Sequence, residues 1–495
     1  EQTPMCGIPY HSSDGYIARL IAKGYKVAIC EQTEDPALAK GLVKRDIIRV
    51  VTPGTVIDSA CLDDRRGNFL CGVFLDEQNA GVAFCDMSTG HTHVTAFSGA
   101  DRAEHLCNEL ARFSPAEAVL SAGAYADEEL KALLANRLSC RVERGDARFD
   151  LKAAEKAVLA QYGEDAYASL PRNNPAAALA LGGLLSYLHE TQKSDLSYIS
   201  DLEYYEQGRF MELDLSARRN LELTETMRSR EKRGTLFWVL DKTKTSMGRR
   251  LLRSSIEQPL LSVNAINRRL NAVTELTRNS ILISELAAAL DGVYDLERLM
   301  TRVVYGNPPV KDMIALGATT ARLPAIKELL GEVQCALLRE IEQNIDPLED
   351  VARLIGSAID PDSDIPLKEG GVIREGYDKQ LDEARHLSKD IRGILAEIEE
   401  REKDATGIRT LRIGYNRVFG YYIEVSNSFK DQVPAHYIRK QTLTNAERYI
   451  TEEIKELEER VLHAQQEAID RAAELYEQVR ATVAAELPRI QQTAA

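Results

Sequence analysis

Between Gly407 and Ile450 the sequence gathers side chains whose chemistry suits phosphate oxygens. Tyr415, Asn416, Arg417, Tyr421 and Tyr422 stand close together, and Arg439, Lys440, Gln441 and Asn445 follow. Guanidinium, ammonium, amide and hydroxyl donors of this kind position a protein on a nucleic-acid backbone without reading its bases. Charge sharpens the reading. Arg409, Arg412, Arg417, Lys430, Arg439, Lys440 and Arg448 are opposed only by Glu424, Asp431 and Glu447, a net of +4, whereas Thr451 to Arg480 sets nine acids against four bases, a net of -5. The whole chain carries -15, but phosphate affinity depends on where charge sits rather than on its sum. The expected backbone-binding set is therefore Asn416, Arg417, Tyr421, Arg439, Lys440, Gln441 and Asn445, with duplex DNA as ligand. Phe419 and Tyr422 read as part of the segment's own apolar core.

Other chemistry-bearing residues form less complete sets. Asp76 and Asp86 end two successive expected strands and could pair as carboxylates for two-metal phosphoryl chemistry, which would make the region an RNase H-like metal-dependent nuclease. No third or fourth carboxylate joins them in a suitable context, and they read as polar strand ends. His91 and His93 alternate on one strand and share a face, yet no further His or Cys cluster supports a metal site. The sequence has no GxxxxGK followed by Ser or Thr, and no GxGxxG, HExxH or GxSxG. No catalytic, metal or nucleotide-binding residue is assigned, and these residues read as a non-enzyme that holds no cofactor. The eight cysteines are scattered without a CxxC pair, as expected of reduced packing thiols. With no run of about 18 apolar residues and no signal-like start, the expected location is cytoplasmic, with no membrane partner.

The elements that must carry these residues follow from periodicity. A chain of 495 residues, 44% hydrophobic, can bury several cores, roughly three or four units of the usual size. Ser12 or Ser13 caps an expected helix from Tyr16 to Lys23, ended by Gly24, with strands Tyr25 to Cys30 and Asp46 to Val51 after it. Asn68 to Asp76, Gly81 to Asp86 and His91 to Phe97 read as strands; helix Asp101 to Arg112, strand Ala116 to Leu120 and a further helix follow. Leu151 to Tyr162 and Ala176 to Thr191 are helical around Pro171 and Pro175, and helical periodicity then dominates from about Ser197 to Ser388. Leu381, Ala384, Leu387, Ile391, Leu395 and Ile398 make one apolar seam, and Ile450, Ile454, Leu457, Val461, Ala464 and Ala468 make another. Between them, Leu411 to Tyr415 and Val418 to Val425 favour strands. The simplest geometry is an outgoing helix, a small β tip carrying the cations, and an antiparallel returning helix.

The same residues carry a family likeness. Met5-Cys6-Gly7-Ile8-Pro9-Tyr10-His11, Val27-Ala28-Ile29-Cys30-Glu31-Gln32 and Val51-Thr52-Pro53-Gly54-Thr55 resemble the later half of the MutS mismatch-binding domain. Leu240-Asp241-Lys242-Thr243-Lys244-Thr245-Ser246-Met247-Gly248-Arg249-Arg250-Leu251-Leu252 and Asp295-Leu296-Glu297-Arg298 resemble the family's lever and core. The run Ile413 to Ile423 and the run Arg439 to Tyr449 resemble its clamp.

This resemblance implies a multidomain fold with α+β and all-α parts. A small α/β remnant of the mismatch-binding domain would occupy 1–52, an RNase H-like connector 53–195, and a helical lever and core 196–390 with 452–495. An antiparallel coiled-coil arm with a β-rich clamp tip would be inserted at 391–451. The implied ligand is double-stranded DNA with mismatches or small loops, selected because a mispaired step is easily deformed. The implied partners are a second copy, forming a homodimer in the full-length protein, and MutL; ATP and Mg2+ are implied cofactors of the full-length protein, and a bacterial, nucleoid-associated location follows. The family's Phe-x-Glu wedge does not match here: Phe210-Met211-Glu212, the one such string, falls at the connector-core junction and reads as coincidence. The expectation is a fragment, with the wedge before Glu1 and the ATPase after Ala495. Pro4 and Met5 read equally as lining of the minor groove beside the wedge and as a buried turn. A MutS paralogue acting on recombination intermediates is the alternative, disfavoured by the strings around Met5.

Overall fold

The computed structural model describes residues 7–9, 12–34, 41, 43–193, 196–206, 208–306, 308–389, 391–416 and 420–494, without the side chains of 388, 389 and 392. The described residues form a mixed α+β protein with many helices and three sheets, divided into two compact units, Glu1–Ala352 with Val483–Ala495 and Arg353–Thr482. Among the described residues no helix is long and apolar enough to cross a membrane.

In the first unit, helix α1 (Ser13–Ala22) leads to antiparallel strands β1 (Val27–Gln32) and β2 (Arg45–Val51), whose register shifts between Ile29 and Cys30. Ser12 makes no side-chain cap hydrogen bond to the helix. Ser12 Oγ instead donates to the Pro9 carbonyl at 2.8 Å, because the preceding turn offers a nearer acceptor than the helix offers a donor. Among the described residues, Ile21, Val51 and Val56 are the buried members of this piece's own cluster, the small core its composition predicts.

Next comes a six-stranded sheet of β3 (Phe69–Leu75), β4 (Asn79–Asp86), β5 (His91–Ser98), β6 (Glu117–Leu120), β7 (Arg141–Arg144) and β8 (Asp201–Tyr204). Its order is β7-β6-β3-β4-β5-β8; the central three strands are antiparallel, and β6, β7 and β8 join parallel to their neighbours. Helix α2 (Arg102–Phe113) covers one face with Leu106, Leu110 and Phe113. Helices α3 (Leu151–Ala168) and α4 (Ala176–Gln192) cover the other, where α4 lies so close that a Cβ at Gly72 or Gly81 would strike its Ala180 or Ala176 carbonyl. Strand β8 falls where the sequence suggested helix, and β7 was not singled out as a strand. Both have four residues, too short for alternation to show, and pairing with an existing sheet edge decides them.

The helical stretch that follows includes α5 (Ser246–Glu257) and α6 (Leu296–Tyr305). Two of the family-like strings meet here although they lie far apart in sequence. Arg250 on α5 grips Asp295 with two nitrogens, at 2.5 and 2.8 Å, and reaches Glu297 at 2.5 Å. Thr245 caps α5 through the Gly248 amide at 3.0 Å, and Asp295 caps α6 through the Arg298 amide at 3.2 Å.

The second unit holds helices α7 (Lys379–Lys389) and α8 (Ile391–Thr406) and residues 452–482 of helix α9 (Glu452–Ala485). Pairing of Asp378 with Arg471 (2.7 Å) and of Arg401 with Glu453 shows that numbers fall along α9 as they rise along α7 and α8, the signature of antiparallel helices. Leu387, expected in the seam, is 48% exposed. The rest of both seams is buried or half-buried. Between α8 and α9 stand β9 (Arg412–Asn416), β10 (Gly420–Ser426), β11 (Ile438–Thr442) and β12 (Ala446–Ile450), an antiparallel sheet in the order β11-β12-β10-β9. Ile423, Val425, Tyr449 and Ile450 from the sheet join Ile398, Ile408, Ile454, Leu457 and Val461 from its surroundings in one apolar cluster.

Candidate nucleic-acid interface

The pleat of the four-stranded sheet decides which of its side chains can meet a ligand. Ile423 and Val425 are buried, so Tyr421, two residues earlier, shares their face; it packs against the same cluster, its ring 5.0 Å from that of Tyr415. Tyr422 takes the opposite face, reversing the expectation that it belongs to the core. There its ring lies against Gly414, where a Cβ would collide with it, and the Arg448 guanidinium sits 4.2 Å from the ring centroid. Phe419 and Arg417 lie outside the described residues, as do Pro4 and Met5.

The sheet order separates the expected contacts. Asn416, half-buried, is on edge strand β9, whereas Arg439, Lys440 and Gln441 are on the opposite edge, β11, about 14 Å away at some 4.8 Å per strand. The two hairpins also point oppositely. Residue Gly420 abuts Glu458 of α9, while the hairpin from Thr442 to Ala446 stands at the far end of β10 beside Ser426, some 20 Å along the strand. Asn445 is exposed at that far end.

Side chains that were not singled out in sequence collect around Asn445. The Asn427 amide donates to the Asn445 carbonyl at 3.1 Å and its side chain to the Thr444 carbonyl at 3.0 Å, while the Thr410 and Ser426 hydroxyls lie 3.1 Å apart. This brings exposed Arg409, Asn427, Ser428 and Lys430 to the end that presents Asn445. Arg409 and Lys430 were visible as charges; sequence separation concealed their proximity.

Among the described residues, two of the sheet's cations are engaged internally. Arg448 pairs with Glu424 at 3.0 Å and donates to Gln441 at 3.0 Å; Arg439 lies 3.3 Å from Glu447 while remaining 62% exposed. The Tyr449 hydroxyl and then the Arg439 charge hold the Glu447 carboxyl below its usual range against the opposing effect of burial. Burial, followed by this carboxylate, pushes the Tyr449 phenol up to about 12. Lys440 at the β11 bulge is exposed, as are Arg409, Arg412 and Lys430. Exposed cations meet a polyanion at little desolvation cost, and the counterions released from its phosphates favour binding.

The alternative sites have structural occupations. Asp86 accepts the amides of Asn68 and Ser88, both at 2.9 Å, and the Ser88 hydroxyl at 2.6 Å; Asp76 accepts the amides of Gln78 and Asn79 at 2.8 and 2.6 Å. Both carboxylates thus build turns. His91 bonds Asp201 at 2.6 Å and His93 bonds Glu203 at 3.1 Å across β5 and β8, and among the described residues no group of three or more ligands could hold a metal. Phe210 is packed under Arg112, 5.4 Å from its guanidinium, and Glu212 lies 3.3 Å from His105, so the Phe-x-Glu string is committed to internal contacts.

Comparison with known proteins places this geometry. Residues 1–60 match MutS domain I, 68–200 match MutS domain II and 216–495 match MutS domain III. The chain is 44% identical over 494 residues to the DNA mismatch repair protein MutS of Acetivibrio thermocellus, 43% over 499 residues to that of Caldicellulosiruptor saccharolyticus and 43% over 495 residues to that of Symbiobacterium thermophilum. Each alignment covers 100% of this chain and 56 or 57% of the relative, so the chain spans about half the length of the curated relatives it matches. With three successive domains matched in order and the last alone spanning more than half of these residues, the chain belongs to the MutS family.

Proposed function

We propose that the second unit is a DNA clamp, gripping the duplex through its backbone, and that the chain contributes this grip to mismatch recognition and the initiation of repair. One observation carries the reading: the exposed cations gather on a small sheet closing two antiparallel helices, inside the stretch that matches MutS domain III. On this reading the six-stranded sheet is an RNase H-like connector, the helical part a lever and core, and the helices α7 to α9 with their sheet a coiled-coil clamp arm. Domain boundaries near 52, 195, 390 and 451 belong to the same proposal. The ligand is duplex DNA containing a mismatch or small loop. In the full-length protein, ATP with Mg2+ drives the cycle, two copies enclose the DNA, and MutL is recruited; these residues hold the DNA rather than hydrolyse nucleotide. The work takes place in the bacterial cytoplasm, at the nucleoid.

Within the clamp, Arg439, Lys440 and Gln441 supply one set of phosphate contacts, Asn445 with Arg409 and Lys430 a second, and Asn416 with Arg417 a third, whereas Tyr421 packs into the apolar cluster and is withdrawn from the set. Affinity for duplex DNA is expected to fall steeply between roughly 50 and 200 mM salt. Arg439→Ala with Lys440→Ala should flatten the slope of log affinity against log salt by about 0.9 for each phosphate that the variant no longer neutralises. An unaltered slope in that double variant and in Arg409→Ala with Lys430→Ala removes the sheet from the interface. Because the ring of the one Phe-x-Glu string is packed under Arg112, this chain should bind matched and mismatched duplexes almost equally.

A further inference from the structure

A single buried guanidinium ties the domain III match to the domain II match and to the short connection that precedes it. Arg298 on α6 is 2% exposed. Its Nε donates to Ser88 Oγ at 3.1 Å, Nη1 to the Asp63 carbonyl at 3.1 Å and Nη2 to the Arg66 carbonyl at 2.9 Å. Ser88 lies in the domain II match and Arg298 in the domain III match, whereas Asp63 and Arg66 lie in the short connection between the matches to domains I and II. Asp64 Oδ1 approaches Nη1 to 3.6 Å. Burial draws the arginine's pKa down from its ordinary value, while Asp86, Asp295 and Asp64 favour its charge.

The acceptor side of this junction is fixed. Ser88 is held by Asp86, whose other oxygen accepts the Asn68 amide at 2.9 Å, and Asn68 Nδ2 reaches the Pro53 carbonyl at 2.9 Å. The donor side is tied to α5, because the Asp295 carboxylate that caps α6 through the Arg298 amide also receives Arg250. A shift of α5 that carries Arg250 with it therefore pulls on the cap of the helix bearing Arg298. Drawing Arg298 off its carbonyls would leave a buried charge without acceptors, so intermediate displacements are penalised and the junction is made or broken as a whole.

We propose that Arg298 is a conformational latch: it fixes the connection 61–67 onto the six-stranded sheet and, through Asp295 and Arg250, makes release of that connection depend on the position of α5. Arg298 acts through its neighbours and is a positioning residue. Hydrogen-deuterium exchange on the whole chain tests this. Arg298→Met should raise amide exchange across 61–68 and 86–90 at least tenfold while 420–460 keeps its protection. Arg250→Met touches none of those amides, yet should raise exchange at 61–68 severalfold, a response that a purely local role for Arg298 would not give. If Arg298→Met does not fold, Arg298→Lys and Ser88→Ala are to be read instead, each with smaller increases confined to the same peptides. Unchanged exchange at 61–68 in Arg250→Met, or in the Arg298 and Ser88 variants, overturns the latch.

Discussion

At the scale of single residues, the family-like strings are explained by interactions that tolerate few alternatives. Gly54 donates its amide to the fully buried Glu117 at 3.1 Å, and a Cβ there would come within 2.9 Å of the Glu117 Cβ and 3.0 Å of Leu70. Glu117 also accepts the Tyr187 hydroxyl at 2.6 Å and faces Lys26 at 3.5 Å, so its charge is hydrogen-bonded as well as paired. His91 offers a titration test. Burial opposes its protonation, but the hydrogen bond to Asp201 and the nearby Glu297 and Asp86 together place its pKa above the ordinary value. A raised folded-state pKa gives stability that is fully present below the unfolded value of about 6.5 and is lost as pH rises through the folded value. Denaturant unfolding of the native chain and His91→Gln should therefore differ most near pH 6 and converge at mildly alkaline pH. A gap that stays constant or widens with rising pH contradicts the assignment.

At the scale of elements, the stalk shows how much of a heptad pattern survives folding. From Ile454 to Ala468 the returning seam is buried at every named position, Ile454 completely and Leu457 nearly so; Ile450, expected to open that seam, belongs to β12, and Leu387 of the outgoing seam is exposed. Leu457→Ala should cost roughly 2–4 kcal/mol through reduced burial and the cavity left behind. Leu387→Ala should change stability by less than about 0.5 kcal/mol. Equal costs in chemical denaturation would place Leu387 inside the seam. The sheet shows the complementary effect. Sequence pattern identified β9 and β10 but not β11 and β12; pairing with an edge strand decided β7 and β8 of the six-stranded sheet, and pleat parity set Tyr421 inward and Tyr422 outward.

At the scale of the whole molecule, the two compact units have separate apolar clusters, and their local stabilities should be separable. In native-state hydrogen exchange, Ile454→Ala should lower protection in 391–461 and leave β3 to β6 unchanged; loss of protection spread equally over both would show a single cooperative unit. Much of this was legible in the sequence: the mixed α+β beginning and the helical stretch after it, the acidic helix and cationic tip, and the family itself. Periodicity and charge are local properties, and the long motif strings needed no coordinates to be matched. The tertiary structure decided what depends on distant chain segments meeting. It brought Arg409 and Lys430 to Asn445, moved Asn416 to the opposite sheet edge from Arg439, and set Arg298 against the carbonyls of Asp63 and Arg66. Strand order and the acceptors around a buried charge are fixed by chain closure and packing, to which residues hundreds of positions apart contribute, and no local pattern encodes them.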